Sequence, residues 1–155
     1  MSEPKKDQIA DAVKAALQGA TIGAGYYTDL GLNVSRRRMN LQELNQTSLP
    51  AASVWAGDAE PSPVACTGSY RERVMVVVEV FIRTEEQENL DRDTIRAESD
   101  VKRAVLSTTL LGLSGTVTRL APAAVAADHQ EFSDDRLGRR LIAFEVDYNW
   151  TADAP

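Results

Sequence analysis

The sequence predicts an α+β fold: a mixed, mostly antiparallel sheet with two helices packed on one face and a long C-terminal hairpin. Two segments have the two-residue period of a β-strand: in 71–83 β-branched residues alternate with a mixed set, and in 142–150 apolar residues alternate with mostly polar ones. Two others, 4–19 and 85–106, repeat apolar or small residues with the period of an α-helix. Strand segments outnumber the helical ones. The two helices are therefore left to cover one face of the sheet, which is an α+β arrangement.

Composition and charge restrict the class of protein. A length of 155 residues predicts a single domain over 1–155, with flexible ends at about 1–4 and 151–155. The content of 43% hydrophobic and 26% charged residues is that of a globular protein, and the net charge of −6 argues against a protein that coats nucleic acid. The chain has no apolar run that predicts a signal peptide or a membrane span, so we expect no membrane partner.

The first third of the chain predicts one helix and two short strands. Ile9, Val13, Ala16 and Leu17 share one helical face between residues 4 and 19, and Gly19 is a suitable end. Residues 26–28 are a candidate strand, whereas 30–50 is polar and lacks a clear period. Residues 52–56 predict a second short strand that ends at residues 57–58, and the long loop that follows contains two prolines.

The middle of the chain contains the strongest pattern. One face of the strand predicted at 71–83 consists entirely of β-branched residues, namely Val74, Val76, Val78, Val80 and Ile82. Thr84 precedes Gln87 by the spacing of a capping box, which predicts a helix over 85–106. Its apolar or small face comprises Leu90, Thr94, Ala97, Val101, Ala104, Val105 and Thr108.

The last third predicts a hairpin. Residues 115–120 are a candidate strand that Pro122 breaks or bends, and 123–132 is the first arm of the hairpin. Residues 133–138 form its tip. The second arm is marked by alternating apolar residues, Ile142, Phe144, Val146, Tyr148 and Trp150.

Candidate catalytic residues are few. His129 could act as a general base and Cys66 as a nucleophile, but neither lies in a recognisable local motif, and a solvated strand end is the better interpretation of His129. The acidic residues 85–93 open a helix and alternate with arginines, which is typical of an exposed, ion-paired face. One cysteine and one histidine cannot supply the four nitrogen or sulfur ligands of a structural zinc site. The sequence therefore predicts no enzyme, no metal and no cofactor.

The order of elements resembles that of the tail terminator, or tail completion, proteins of long-tailed bacteriophages. The resemblance covers the opening helix 9–17, the segment 49–58, the long strand 74–82, the acidic helix 85–106 and the ending 144–150, Phe-Glu-Val-Asp-Tyr-Asn-Trp. It implies a homo-oligomeric ring, usually a hexamer, on the end of the tail tube. Such a ring stops tube polymerisation and joins the tail to the head connector. The resemblance implies no catalytic residues.

The resemblance also implies partners and a location. The partners are a second copy of the chain, the tail tube protein and a head–tail connector or neck protein, and DNA passes through the ring without sequence-specific binding. The location is the head-proximal end of the virion tail, after assembly in the cytoplasm of the bacterial host. Two alternatives stay open: another neck or minor tail protein, or a small α+β enzyme or ligand-binding domain.

Two charged segments are candidate assembly contacts. Arg36, Arg37 and Arg38 form a basic cluster, and Asp134, Asp135 and Arg136 lie at the predicted hairpin tip. Neither segment belongs to the predicted core, and their local charges are opposite. A closed ring of identical subunits joins two different patches of each copy, so we expect these segments at or near subunit or tube contacts.

Overall fold

The computed structural model describes residues 3–40, 48–61, 69–128 and 136–151. The described elements are helix α1 (Lys5–Gln18), strands β1 (Val34–Ser35), β2 (Ala51–Pro61) and β3 (Ser69–Arg83), helix α2 (Leu90–Ser107), and strands β4 (Val117–Asp128) and β5 (Leu137–Thr151). Short 3₁₀ turns occupy 22–24, 30–32, 87–89 and 109–112. The Leu49–Pro50 peptide bond that leads into β2 is cis.

The strands form one mixed sheet in the order β1-β2-β3-β5-β4. The β1–β2 pair is parallel and the other pairs are antiparallel, so the predicted α+β architecture is confirmed. The central pair is β3–β5, in continuous register from Ser69↔Thr151 to Arg83↔Leu137. β4 and β5 are the two arms of the predicted hairpin, whose connection, 129–135, lies outside the described residues.

The core lies between the sheet and the two helices. All five β-branched residues of the predicted β3 face are buried, together with Ile142, Phe144, Val146 and Tyr148 of β5. α1 contributes Ile9, Val13 and Leu17 to the same cluster, and α2 contributes Ala97, Val101 and Val105. Burial of these side chains supplies the main favourable free energy of folding.

Two predicted strand ends are wrong. Gly57 and Asp58 do not end β2, which continues to Pro61 through a register shift between Ala56 and Ala59. Pro122 does not separate two strands either, because β4 runs continuously over 117–128 with a register shift between Pro122 and Ala124. Both strands lie at or near an edge of the sheet, where bulges and prolines are common because a strand there has a neighbour on one side only.

Two local predictions are also wrong. Residues 26–28 do not form a strand, and 27 and 28 are bends. Thr84 does not cap a helix: its hydroxyl donates to the carbonyl oxygen of Glu86 at 2.9 Å, and α2 begins only at Leu90, after a 3₁₀ turn. The predicted apolar face of α2 is confirmed except at Thr108, which is exposed, and it includes an unpredicted buried carboxylate, Asp100.

The turn between α2 and β4 has an unusual backbone. Leu110, Leu111 and Gly112 all have positive φ angles, of 48°, 57° and 72°. Leu111 is nevertheless buried, and its packing against the core offsets the cost of this conformation for a residue with a Cβ atom.

Candidate assembly surfaces

The basic cluster, Arg36–Arg38, follows β1 at one edge of the sheet, and its first member turns toward α1. The Arg36 guanidinium donates to the Asp11 carboxylate at 2.6 Å and to the carbonyl oxygen of Asp7 at 3.2 Å. A longer contact of 3.4 Å reaches the Asp7 carboxylate. Arg36 therefore makes these contacts within its own subunit and connects the segment after β1 to α1. The sequence did not predict these contacts.

The other two members of the basic cluster are exposed. The Arg38 guanidinium lies over the Trp55 ring, 4.7 Å from its centroid, on the face of the sheet that carries no helix. The Ser35 hydroxyl donates a hydrogen bond to the carbonyl oxygen of Arg37 at 2.9 Å. Met39 then packs against Phe81 and Leu137. The segment thus passes around the edge of the sheet, where Arg37 and Arg38 keep exposed surface.

The second candidate segment lies only partly within the described residues. Asp134 and Asp135 lie outside them, as do His129 and Cys66, so those predictions stay predictions. Arg136 is exposed, and its carbonyl oxygen accepts a 3.0 Å hydrogen bond from the Thr84 amide. Because 129–135 connect β4 to β5, the chain enters this segment from the edge strand opposite β1.

The helix-free face carries a charged network across β3, β5 and β4. Arg73 donates to Asp147 at 2.7 Å and lies 3.3 Å from Glu145, while Arg119 pairs with Glu145 and lies 3.9 Å from Asp147. The hydrogen bond from Arg73, opposed by partial burial, holds the pKa of Asp147 below its usual value. Toward the other end of this face, Glu79 is almost fully buried and pairs with Arg139 at 2.6 Å.

A buried carboxylate anchors the segment after α1. Asp100 of α2 is 1% exposed and accepts hydrogen bonds from the Tyr27 amide at 3.0 Å, the Thr28 amide at 2.8 Å and the Thr28 hydroxyl at 2.7 Å. Arg103 adds a 2.7 Å bond to the Gly25 carbonyl oxygen. The sequence analysis did not identify Asp100. A carboxylate among the apolar positions of a helix is nevertheless a signal, because a buried carboxylate needs hydrogen-bond donors.

A shallow cleft of about 290 Å³ adjoins this anchored segment. It is lined by Ile22, Tyr27, Pro50, Ile82, Arg83 and Arg96, among others. Arg96 lies 3.7 Å from the Asp93 carboxylate on its rim. Across the described ranges, no group of three histidine, cysteine, aspartate or glutamate side chains could hold a metal ion. Nor does a helix in those ranges have the length and apolarity to span a membrane.

No protein-family model matches the chain, and no curated protein matches it. Solved structures do match. One is a chain of a particle described as the virion of the native gene transfer agent, with a TM-score of 0.53 and 15% sequence identity. The similarity covers 92% of this chain and 98% of that chain. At this level of identity the comparison establishes a shared fold along almost the whole length of both chains.

Proposed function

We propose that this chain is a structural virion protein that forms a closed ring on the end of a phage-type tail tube. The ring stops tube polymerisation and presents the surface that joins the tail to the head connector. The fold shared with a chain of a gene transfer agent virion, over 92% of this chain and 98% of that one, carries the proposal. The order of elements, which resembles that of tail terminator proteins, supports it independently.

The topology is compatible with a ring. Identical subunits close a ring through a head-to-tail contact, which joins two different patches of each copy. The strand order places the basic cluster beside one edge of the sheet and the connection 129–135 after the strand at the opposite edge. The opposite local charges of the two segments favour one register of such a contact.

The proposed role needs no catalytic group. The partners are further copies of the chain, which form a hexameric ring, the tail tube protein, and a connector or neck protein. We place the ring at the head-proximal end of the virion tail after assembly in the bacterial cytoplasm. The net charge of −6 would repel DNA that passes through the ring.

Two experiments test the proposal. Sedimentation velocity and negative-stain microscopy of the full chain, alone and with tail tubes, should show rings, whereas a monomer under all these conditions would overturn the ring. The second experiment removes the gene from the phage-like element that encodes it. Overgrown tails without heads are expected. Tails of normal length that fail to join heads would instead assign the chain a neck role.

A further inference from the structure

Strand β4 forms one edge of the sheet, and beyond Pro122 this edge has little of the usual protection. Residues 122–126 are all exposed, and the stretch from Leu120 to Ala127 contains no charged residue. An exposed edge offers unpaired N–H and C=O groups, and proteins usually protect it with charged side chains, prolines or bulges. Pro122 and the adjacent register shift interrupt only the start of this stretch. Val125, in its uninterrupted part, is 39% exposed.

The opposite edge of the sheet is only partly covered. β1 pairs with β2 at Ala52 and Ser53 alone. Over the ranges that the structure describes, no strand pairs with β2 from Val54 onward on that side. This open part of β2 carries two exposed acids, Asp58 and Glu60. Within the described part of the chain, the sheet therefore has two open strand edges on opposite sides.

The directions of these edges suit a contact between identical copies. β2, β3, β5 and β4 are successively antiparallel, so β2 and β4 run in opposite directions. A rotation about an axis parallel to the strands keeps those directions. It would therefore lay β4 of one copy beside β2 of the next as an antiparallel pair.

The charges of the two edges also match. Register pairs place Glu60, Arg73, Asp147 and Arg119 in one row across the sheet. When two sheets adjoin at the same level, Arg119 of one copy meets Glu60 of the next. The Arg119 side chain is 51% exposed, so it can reach across the junction. The small side chains of Ala121, Ala123, Ala124 and Ala126 meanwhile permit close approach of the two backbones.

We propose that β4 of one copy adds to the open part of β2 of the next copy, so that the sheets of the ring join edge to edge. This inference rests on the proposed ring and names its contact. Main-chain hydrogen bonds between β4 and β2 hold the two copies together, as in other cases of strand addition. The Arg119–Glu60 pair selects the register.

A lysine on the β4 edge tests the contact. We expect Ala124→Lys to lower the ring-to-monomer ratio about tenfold or more, because a charge on the edge opposes strand addition. Ile95→Lys, at an exposed site on α2, adds the same charge away from both edges and should assemble normally. Thermal unfolding of both variants checks that the fold is kept. Normal assembly of folded Ala124→Lys would overturn the inference.

Cross-linking tests the same contact without an added charge. In a Cys66→Ser background, Ala121→Cys and Asp58→Cys lie at similar levels on the two edges, and a short flexible bismaleimide should link copies into a ladder. Asp58→Cys with Ile95→Cys should give no ladder. Wild-type rings without a ladder would overturn the edge contact and leave the proposed ring intact. Linked copies without rings of any size would retain the edge contact and overturn the ring.

Discussion

Asp100 determines the conformation of the segment after α1. Residues 26–28, Tyr-Tyr-Thr, have the composition of a strand, but two of their amides and one hydroxyl donate to this single carboxylate. A bond between residues more than 70 positions apart cannot be predicted from local composition. The error in the predicted strand and the failure to identify Asp100 therefore have one physical cause.

We expect Asp100→Ala to lower the free energy of unfolding by about 2–4 kcal/mol, because it leaves buried donors without an acceptor. Asp91→Ala, at an exposed position in the first turn of the same helix, should cost less than about 1 kcal/mol. Urea unfolding monitored by circular dichroism measures both. Equal losses in the two variants would show that the Asp100 hydrogen bonds are not what stabilises the fold.

Asp147 makes stability depend on pH. Its pKa is lowered by the hydrogen bond from Arg73, so its contribution is fully present above the ordinary pKa of about 4 and is lost as pH falls through the lower, folded-state value. Asp147→Asn should therefore be less stable than wild type at pH 7, by about 1–2 kcal/mol. The two stabilities should converge in acid.

Unfolding free energies measured between pH 7 and pH 3 check this convergence. Glu85→Gln, at an exposed position, controls for the loss of one negative charge. A difference between Asp147→Asn and wild type that stays constant over this range would contradict the assigned role of the Arg73–Asp147 bond.

At the scale of elements, the central strands could be predicted and the edges could not. β3 and β5 are buried on the helix side, so their alternation is imposed by the core and is visible in the sequence. Among the described strands, β2 and β4 have a neighbour on one side only over much of their length, and both continue past the irregularities near Gly57 and Pro122. Glycine and proline, which often end strands, thus predicted strand ends at positions where the strands continue.

Val78→Asp tests the central position of β3. Val78 is fully buried, so an unpaired charge there costs several kcal/mol, and we expect no soluble, cooperatively unfolding protein. The same holds for Phe144→Asp on β5. Val125→Asp, an identical substitution on the exposed edge, should cost only about 1 kcal/mol. Soluble Val78→Asp with a sharp thermal transition would contradict the assignment of β3 to the core.

At the scale of the whole molecule, the structure divides the basic cluster. The sequence predicted three arginines with one role, but Arg36 contacts α1 whereas Arg37 and Arg38 are exposed. Adjacent residues on a chain that passes around a sheet edge face different surroundings, and composition alone cannot separate them. The cluster and the tip segment stay candidate contacts.

We expect the double variant Arg37→Glu, Arg38→Glu to stay folded and to lower the ring-to-monomer ratio. Asp134→Arg with Asp135→Arg should partly restore it, because the local charges are again opposite. Arg36→Glu should instead lower thermal stability, since it faces Asp7 and Asp11. Sedimentation and tail length in complemented lysates are the measurements. Normal rings and tails in the double variant would remove this cluster from the assembly contact.

The same lysates test the absence of catalysis. His129→Ala and Cys66→Ser should leave infectivity unchanged, because neither residue has a catalytic setting in the sequence. Either variant that folds and assembles normally but loses infectivity would restore the enzyme alternative.

The central β3–β5 pair has a consequence for the timing of synthesis. Its partners are separated by 54 residues at Arg83↔Leu137 and by 82 at Ser69↔Thr151, with α2 and β4 made in between. Pairing of such distant segments has a high contact order and folds slowly. A nascent chain that has not reached β5 presents β3 with an unpaired edge and its valines unburied. A chain can therefore acquire the subunit fold only after β5 has been made, so assembly follows the synthesis of that strand.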